Sequence, residues 1–218
     1  MPYPAAMFDL DGTLLDTLDD LADSMNRALE AMGFPPHPVD AYRYIVGSGV
    51  REMARRSLPE DARDDETIDA LAELKQQEYT RNWADKTRPY DGVPEMLDAL
   101  RAGGIRMAVL SNKPDGFTRL AVEKLLPDWD FDVVRGAADG TPHKPDPTSA
   151  LEIVEAFGLQ PADVFYVGDT DVDMQTAVRA GMFPAGVLWG FRTADELTAN
   201  GARVLLERPA DALPHFDL

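Results

Sequence analysis

The feature that most constrains the fold of this chain is the alternation of short apolar runs with helical patterns. Apolar runs of strand length fall at 5–10, 105–111, 131–134, 164–168, 184–187 and 203–205. Between them, apolar residues recur at helical spacing over 93–102, 115–126, 147–157, 172–180 and 194–200. Gly103-Gly104, Gly158, Gly181 and Gly201 follow four of these patterns, at positions where helices stop. Strand–helix–strand alternation at this spacing predicts an α/β fold, a Rossmann-like doubly wound parallel sheet with helices on both faces.

One stretch breaks the rhythm. From 16 to 84 no strand pattern occurs, and Leu18, Leu21, Ala22, Met25, Leu29 and Met32 recur at helical spacing before Gly33 and Pro35-Pro36. Ile68, Leu71, Ala72, Leu74, Lys75 and Tyr79 predict a second long helix after the acidic loop 59–66. The expected organisation is a core of 1–15 plus 86–218, with a helical cap of 16–85 inserted after the first strand and hinges at 14–17 and 85–92.

Composition narrows the function. Lys+Arg number 21 and Asp+Glu 39, a formal charge of −18, which argues against nucleic acid or an anionic membrane as partner. Small anionic substrates stay open, because one metal ion and one lysine reverse a local field. There is no cysteine, so disulfides, thiolate catalysis and Cys-based zinc sites are excluded, and three scattered histidines make a poor metal centre. The N-terminal residues lack the basic and apolar regions of a signal peptide, and no stretch approaches the ~18–20 apolar residues of a membrane span. A cytoplasmic location is the resulting expectation.

Four groups of reactive side chains stand at the ends of predicted strands. In Phe8-Asp9-Leu10-Asp11-Gly12-Thr13, two carboxylates at i and i+2 share one face of an extended strand at the edge where open α/β sheets bind ligands. Close like charges call for a cation or a shared proton, and Mg²⁺ suits carboxylates and water. A polar Asp-Gly turn accounts for the same residues equally well. Ser111-Asn112-Lys113 offers a hydroxyl, an amide and backbone N–H groups to an anion, or merely caps the next helix. Lys144, between His143 and Pro145, is either a solvated charge or a neutraliser of a transferring phosphoryl group. In Gly168-Asp169-Thr170-Asp171-Val172-Asp173 the acids resemble a calcium loop, but Met174 stands where an EF-hand needs glycine. Asp171 fits a helix first turn, and Asp169, at the strand end, is the better metal ligand.

Taken in order, these motifs resemble the haloacid dehalogenase superfamily of phosphotransferases, in the branch with a helical C1-type cap. The matching residues are FDLDGTLLDT (8–17), LSNK (110–113), HKPDP (143–147) and YVGDTDVD (166–173). Residues 90–114, Ala180-Gly181, WGFRTADEL (189–197) and VGSGV (46–50) are most similar to the phosphoglycolate phosphatase group of that superfamily. The resemblance implies that Asp9 is the nucleophile and forms an aspartyl-phosphate, while Asp11 serves as proton donor and then acceptor. It implies Mg²⁺ held by the Asp9 carboxylate, the Asp11 backbone carbonyl and Asp169. Ser111 and the Asn112 N–H would grip phosphoryl oxygens, Gly12 and Thr13 would add backbone donors, Lys144 would neutralise charge, and Asp173 would orient Lys144 or metal-bound water. True dehalogenases lack a counterpart of Asp11, so phosphoryl chemistry is favoured.

The expected activity is Mg²⁺-dependent hydrolysis of a small phosphorylated metabolite, with 2-phosphoglycolate as the first candidate. A sugar phosphatase, nucleotidase, pyrophosphatase, phosphomutase or non-catalytic phosphate sensor would use the same scaffold. In the cap, Gly47, Ser48, Gly49 and Arg51 are candidate substrate contacts, since Arg51 suits a carboxylate, though the glycines equally shape a turn. Lys113 is a further candidate at the mouth of the site. A monomer or homodimer is expected.

Overall fold

The computed structural model describes residues 2–218. Eight strands run in chain order among the described residues: β1 (Ala5–Phe8), β2 (Leu15–Asp16), β3 (Arg88–Pro89), β4 (Arg106–Pro114), β5 (Val133–Ala137), β6 (Val164–Gly168), β7 (Phe183–Val187) and β8 (Val204–Leu206). The helices are α1 (Leu18–Ala31), α2 (Tyr42–Ile45), α3 (Val50–Ser57), α4 (Asp65–Asn82), α5 (Val93–Ala102), α6 (Asp115–Leu125), α7 (Thr148–Phe157), α8 (Asp171–Ala180) and α9 (Ala194–Ala199).

Six strands form one sheet in the order β5-β4-β1-β6-β7-β8, all parallel, and β2 pairs with β3 separately. The α/β doubly wound architecture expected from the alternation is therefore present. Strand β1 lies between β4 and β6, so successive crossovers leave it in opposite directions, which makes its carboxyl end the topological switch point of the sheet. Burial on both faces explains why β1 is the unbroken apolar run Ala5-Ala6-Met7-Phe8, all fully buried. One face packs Met7, Leu110, Val164 and Tyr166 against Ile153, Val154 and Phe157 of α7 and Ala177 of α8. On the other, Phe165 meets the rings of Tyr3, Phe183, His215 and Phe216.

Of the six expected strands only β6 keeps both expected bounds; β1 stops at Phe8 rather than residue 10, and β4 and β5 differ most. β4 continues past Ser111 to Pro114, because its pairing with β5 resumes at Pro114 and Ala137 after a break in register. β5 starts at Val133 rather than 131.

Contacts divide the chain into Met1–Leu15 with Pro89–Leu218, and Asp16–Arg88. The return crossing falls three residues beyond the expected 85. Buried Asp20, in the first turn of α1, accepts hydrogen bonds from the N–H groups of Lys86 and Thr87 and from the Thr87 hydroxyl, which ties those residues to the helices. Within this unit α1 buries Leu18, Leu21, Met25 and Leu29, and α4 buries Ile68, Leu71, Lys75 and Tyr79, each at helical spacing. Asp64 caps α4 by accepting from the Thr67 N–H at 2.9 Å. No helix among the described residues is long and apolar enough to cross a membrane.

Candidate active site

Asp9 immediately follows β1, and its N–H donates to Val167 O of β6 at 2.9 Å. That bond extends the strand ladder by one residue and fixes the carboxylate at the switch point. Asp9 is buried, as are Asp169 after β6 and Asp173 in the first turn of α8, and their carboxylate oxygens lie within 4.8 Å of one another. Lys144 Nζ enters this cluster at 2.9 Å from Asp9 Oδ1 and 2.7 Å from Asp173 Oδ1, and also donates to Leu110 O at 3.0 Å. The contact to Asp9 is an ion pair by distance without the alignment of a hydrogen bond, so Asp9 Oδ1 is a buried oxygen with no hydrogen-bond partner.

The two outer acids are held differently. Asp169 accepts from the Thr13 hydroxyl and from the Phe191 N–H, one bond to each oxygen, both 2.9 Å. Asp173 is saturated: Oδ1 takes Lys144 and the Tyr166 hydroxyl, while Oδ2 takes the N–H and hydroxyl of Thr170. The latter pair is one side of a capping box opening α8, so the helix start and the lysine anchor are one construction. Gly12 has φ +90°, and a Cβ there would come within 2.3 Å of Asp169 Oδ2. Only glycine lets the turn after β1 approach that carboxylate.

Electrostatics follow from this crowding. Burial pushes the Asp9 carboxyl up to about 7, the charge of Asp173 adds to the rise, and Lys144 opposes it. Asp169 is raised well above the carboxylate range, first by burial and then by the charges of Asp173 and Asp9. For Lys144 burial favours the neutral amine, but the charges of Asp173 and Asp9 outweigh it and hold the ammonium.

Residues 6–187 match the family described as haloacid dehalogenase-like hydrolase. The chain belongs to that family. A phosphoglycolate phosphatase of Nitrosospira multiformis is 37% identical over 98% of this chain and 92% of its own. An N-acetylmuramic acid 6-phosphate phosphatase of Pseudomonas aeruginosa is 30% identical over 100% of this chain and 96% of its own. A solved structure from Lactobacillus delbrueckii subsp. bulgaricus superposes with a TM-score of 0.93 at 31% identity, covering 99% of both chains. These full-length matches make this haloacid dehalogenase-like hydrolase a phosphatase, a phosphoric monoester hydrolase.

The residues present fit a hard cation. Three buried carboxylates cluster where Lys144 pairs with only two of them, Asp9 and Asp173, and Asp9 keeps an oxygen without a hydrogen bond, so oxygen donors and negative charge are in excess. Asp9 and Asp169 are the members with lone pairs to spare, whereas Asp173 is filled.

Several sequence-selected residues do something other than expected. The Gly12 and Thr13 N–H groups are spent inside their own turn, on Leu15 O at 2.9 Å and Leu10 O at 3.3 Å, and the Thr13 hydroxyl serves Asp169. A turn this tight satisfies its own amides. The Asn112 side chain clamps the Lys144 backbone, accepting from its N–H at 2.8 Å and donating to its carbonyl at 3.0 Å. The Ser111 oxygen accepts from Lys113 N, which leaves its hydroxyl proton for another acceptor. Lys113 is buried and pairs with both oxygens of Asp11. Asp171, by contrast, stands as expected in the first turn of α8, outside the cluster and 3.6 Å from Arg192.

In the helical unit Gly47, Ser48 and Gly49 precede α3, and Arg51 lies within its first turn. Gly47 (φ +111°) and Gly49 (φ +89°) shape the turn into that helix, and the Ser48 hydroxyl accepts from Arg56. Arg51 pairs with Asp65 and Asp69 of α4 on an exposed face. Sequence reasoning gave no role to Tyr166, Thr170 or Phe191. The Thr170-x-x-Asp173 spacing of a capping box was the available signal for Thr170, while the other two are chosen only by the tertiary register.

Proposed function

We propose that this phosphatase hydrolyses 2-phosphoglycolate with Asp9 as nucleophile. The observation that carries the reading is the buried Asp9 oxygen at the switch point, free of hydrogen bonds and 2.9 Å from an ammonium. An Asp9 oxygen bonds to phosphorus as the ester P–O bond breaks, and the departing alkoxide takes a proton from Asp11. Asp11 then takes a proton from water, the water oxygen attacks phosphorus, and inorganic phosphate leaves with Asp9 regenerated. Lys144 offsets the charge that the nucleophile and phosphoryl group bring together, and Asp173, Tyr166 and Asn112 hold Lys144 in place. The Ser111 hydroxyl and the Asn112 N–H bind phosphoryl oxygens. Asp9, Asp169 and the Asp11 carbonyl would hold Mg²⁺, whose charge favours ionised Asp9 and stabilises the phosphoryl transition state.

The phosphoglycolate phosphatase relative supports this substrate, and the N-acetylmuramic acid 6-phosphate relative favours a sugar phosphate as the second reading. The reading keeps the expected cytoplasmic setting and the monomer-or-homodimer state. Phosphate release from 2-phosphoglycolate, sugar phosphates, nucleotides and pyrophosphate, with Mg²⁺ or with EDTA, tests it. Preference for 2-phosphoglycolate, lost with EDTA and cut about 10⁴-fold or more in Asp9→Asn, is expected. A sugar phosphate preferred over 2-phosphoglycolate keeps the mechanism and changes the substrate. Activity surviving Asp9→Asn removes the nucleophile assignment.

A further inference from the structure

We infer that Lys113 is a positioning residue for Asp11, fixing the carboxylate that moves protons in the mechanism proposed above, on which this inference rests. Lys113 Nζ lies 2.9 Å and 3.1 Å from the two Asp11 oxygens. One ammonium reaching both oxygens fixes the plane of the carboxylate as well as its direction. The lysine side chain is 3% exposed and that of Asp11 18%, so a buried donor steers a partly open acid.

The lysine is itself anchored at the end of β4. Its N–H donates to the Ser111 hydroxyl at 3.2 Å and its carbonyl accepts from the Thr118 hydroxyl at 3.1 Å. Gly136 of β5 packs so closely that a Cβ there would come within 2.6 Å of the Lys113 carbonyl oxygen. A short rigid arm therefore runs from one strand end to the turn of the next. Each acid of the first turn has its own lysine, Lys144 for Asp9 and Lys113 for Asp11, and Lys144 also pairs with Asp173.

Positioning matters because proton delivery to the ester oxygen must coincide with P–O cleavage, and a misplacement of about 1 Å costs about 100-fold. Leaving groups separate this role from charge neutralisation. The glycolate alkoxide needs the proton; p-nitrophenolate leaves without one.

The test is the burst of leaving-group release, which precedes the water step common to both esters, together with steady-state kinetics, for Lys113→Gln, Lys113→Met and Lys113→Arg on 2-phosphoglycolate and p-nitrophenyl phosphate, with thermal melting of each variant. The expected result is a fall in the burst rate of about 10–100-fold on 2-phosphoglycolate for Gln and Met, against about threefold or less on the aryl ester. KM stays within about twofold, Arg recovers part of the loss, and Lys113→Gln adds nothing to Asp11→Asn in the double variant. Variants that melt cooperatively carry the comparison, and Lys113→Arg, which keeps the buried charge, retains it should both neutral forms unfold. Equal losses in the burst on both esters, a rise in KM with kcat kept, or additivity with Asp11→Asn would overturn the inference. If Asp11→Asn itself slows the leaving-group burst from both esters alike, it is the underlying mechanism that fails.

Discussion

The acids at the carboxyl ends of β1 and β6 and Glu52 within helix α3 respond to their surroundings in opposite ways. In the first region burial and mutual repulsion push Asp9 to about 7 and Asp169 well above the usual range. In the second, the hydrogen bond from Arg55 pulls the Glu52 carboxyl down to about 2, burial opposes it, and the hydrogen bond from Arg56 adds to the fall. Both regions are rich in charge, yet only one holds charge out of water without full compensation. Uncompensated buried charge is what a phosphoryl-transfer site needs, because a cation and an anionic substrate complete it. Fully paired exposed charge has nothing left to offer a ligand.

The sharpest way to break this contrast is Asp173→Ala. Asp173 is fully buried and receives four hydrogen bonds, from Lys144, Tyr166 and Thr170. Removing one partner of a buried ion pair costs about 3–5 kcal/mol, or on the order of 10 °C in melting temperature for a chain of this length. Activity should fall with it, since Lys144 loses its anchor. Asp173→Asn, which keeps the volume, should melt closer to wild type and still turn over slowly. Melting curves beside phosphate release check both, and an unchanged melting temperature in Asp173→Ala would dissolve the distinction between the two regions.

A smaller effect is expected at Gly12. Alanine there must adopt φ near +90° and place its Cβ within 2.3 Å of Asp169 Oδ2. Backbone strain of this kind costs about 1–3 kcal/mol, and displacement of Asp169 should weaken metal dependence as well. Gly12→Ala is expected to shift the Mg²⁺ concentration for half-maximal activity upward by about tenfold or more. A normal Mg²⁺ titration in that variant would mean that Asp169 does not depend on the turn for its place.

Much of this was legible from the residues in order. Parallel strands buried on both faces are unbroken apolar runs, so β1 and β6 and the acids following them stand out in the sequence. The polar side chains were legible as a set, but not their partners. Asn112 holds Lys144 and Thr13 holds Asp169 because β4 and β6 flank β1 in one particular register, which no local pattern encodes. Ser111-Asn112-Lys113-Pro114 reads as a turn on propensity, yet long-range pairing to Ala137 draws it into β4. Helix α3 escaped notice for the converse reason, since its sequence VREMARRS is mostly polar.

Arg51 carries the gentlest test and the one that bears most on substrate choice. Its side chain is 54% exposed, and its guanidinium faces Asp65 and Asp69 across α3 and α4. Exposed pairs of this kind contribute little, because water already solvates both partners and salt screens them. Arg51→Ala should therefore leave the melting temperature unmoved and both kinetic constants for 2-phosphoglycolate within about twofold. A guanidinium already holding two carboxylates must surrender them before it can bind a third, and exchange of like for like yields little selectivity. A rise in KM for 2-phosphoglycolate in Arg51→Ala, with none for a phosphate ester lacking a carboxylate, would show that the exchange does occur. Arg51 would then be a reader of the substrate's acid group, and the helical unit would have a chemical part of its own.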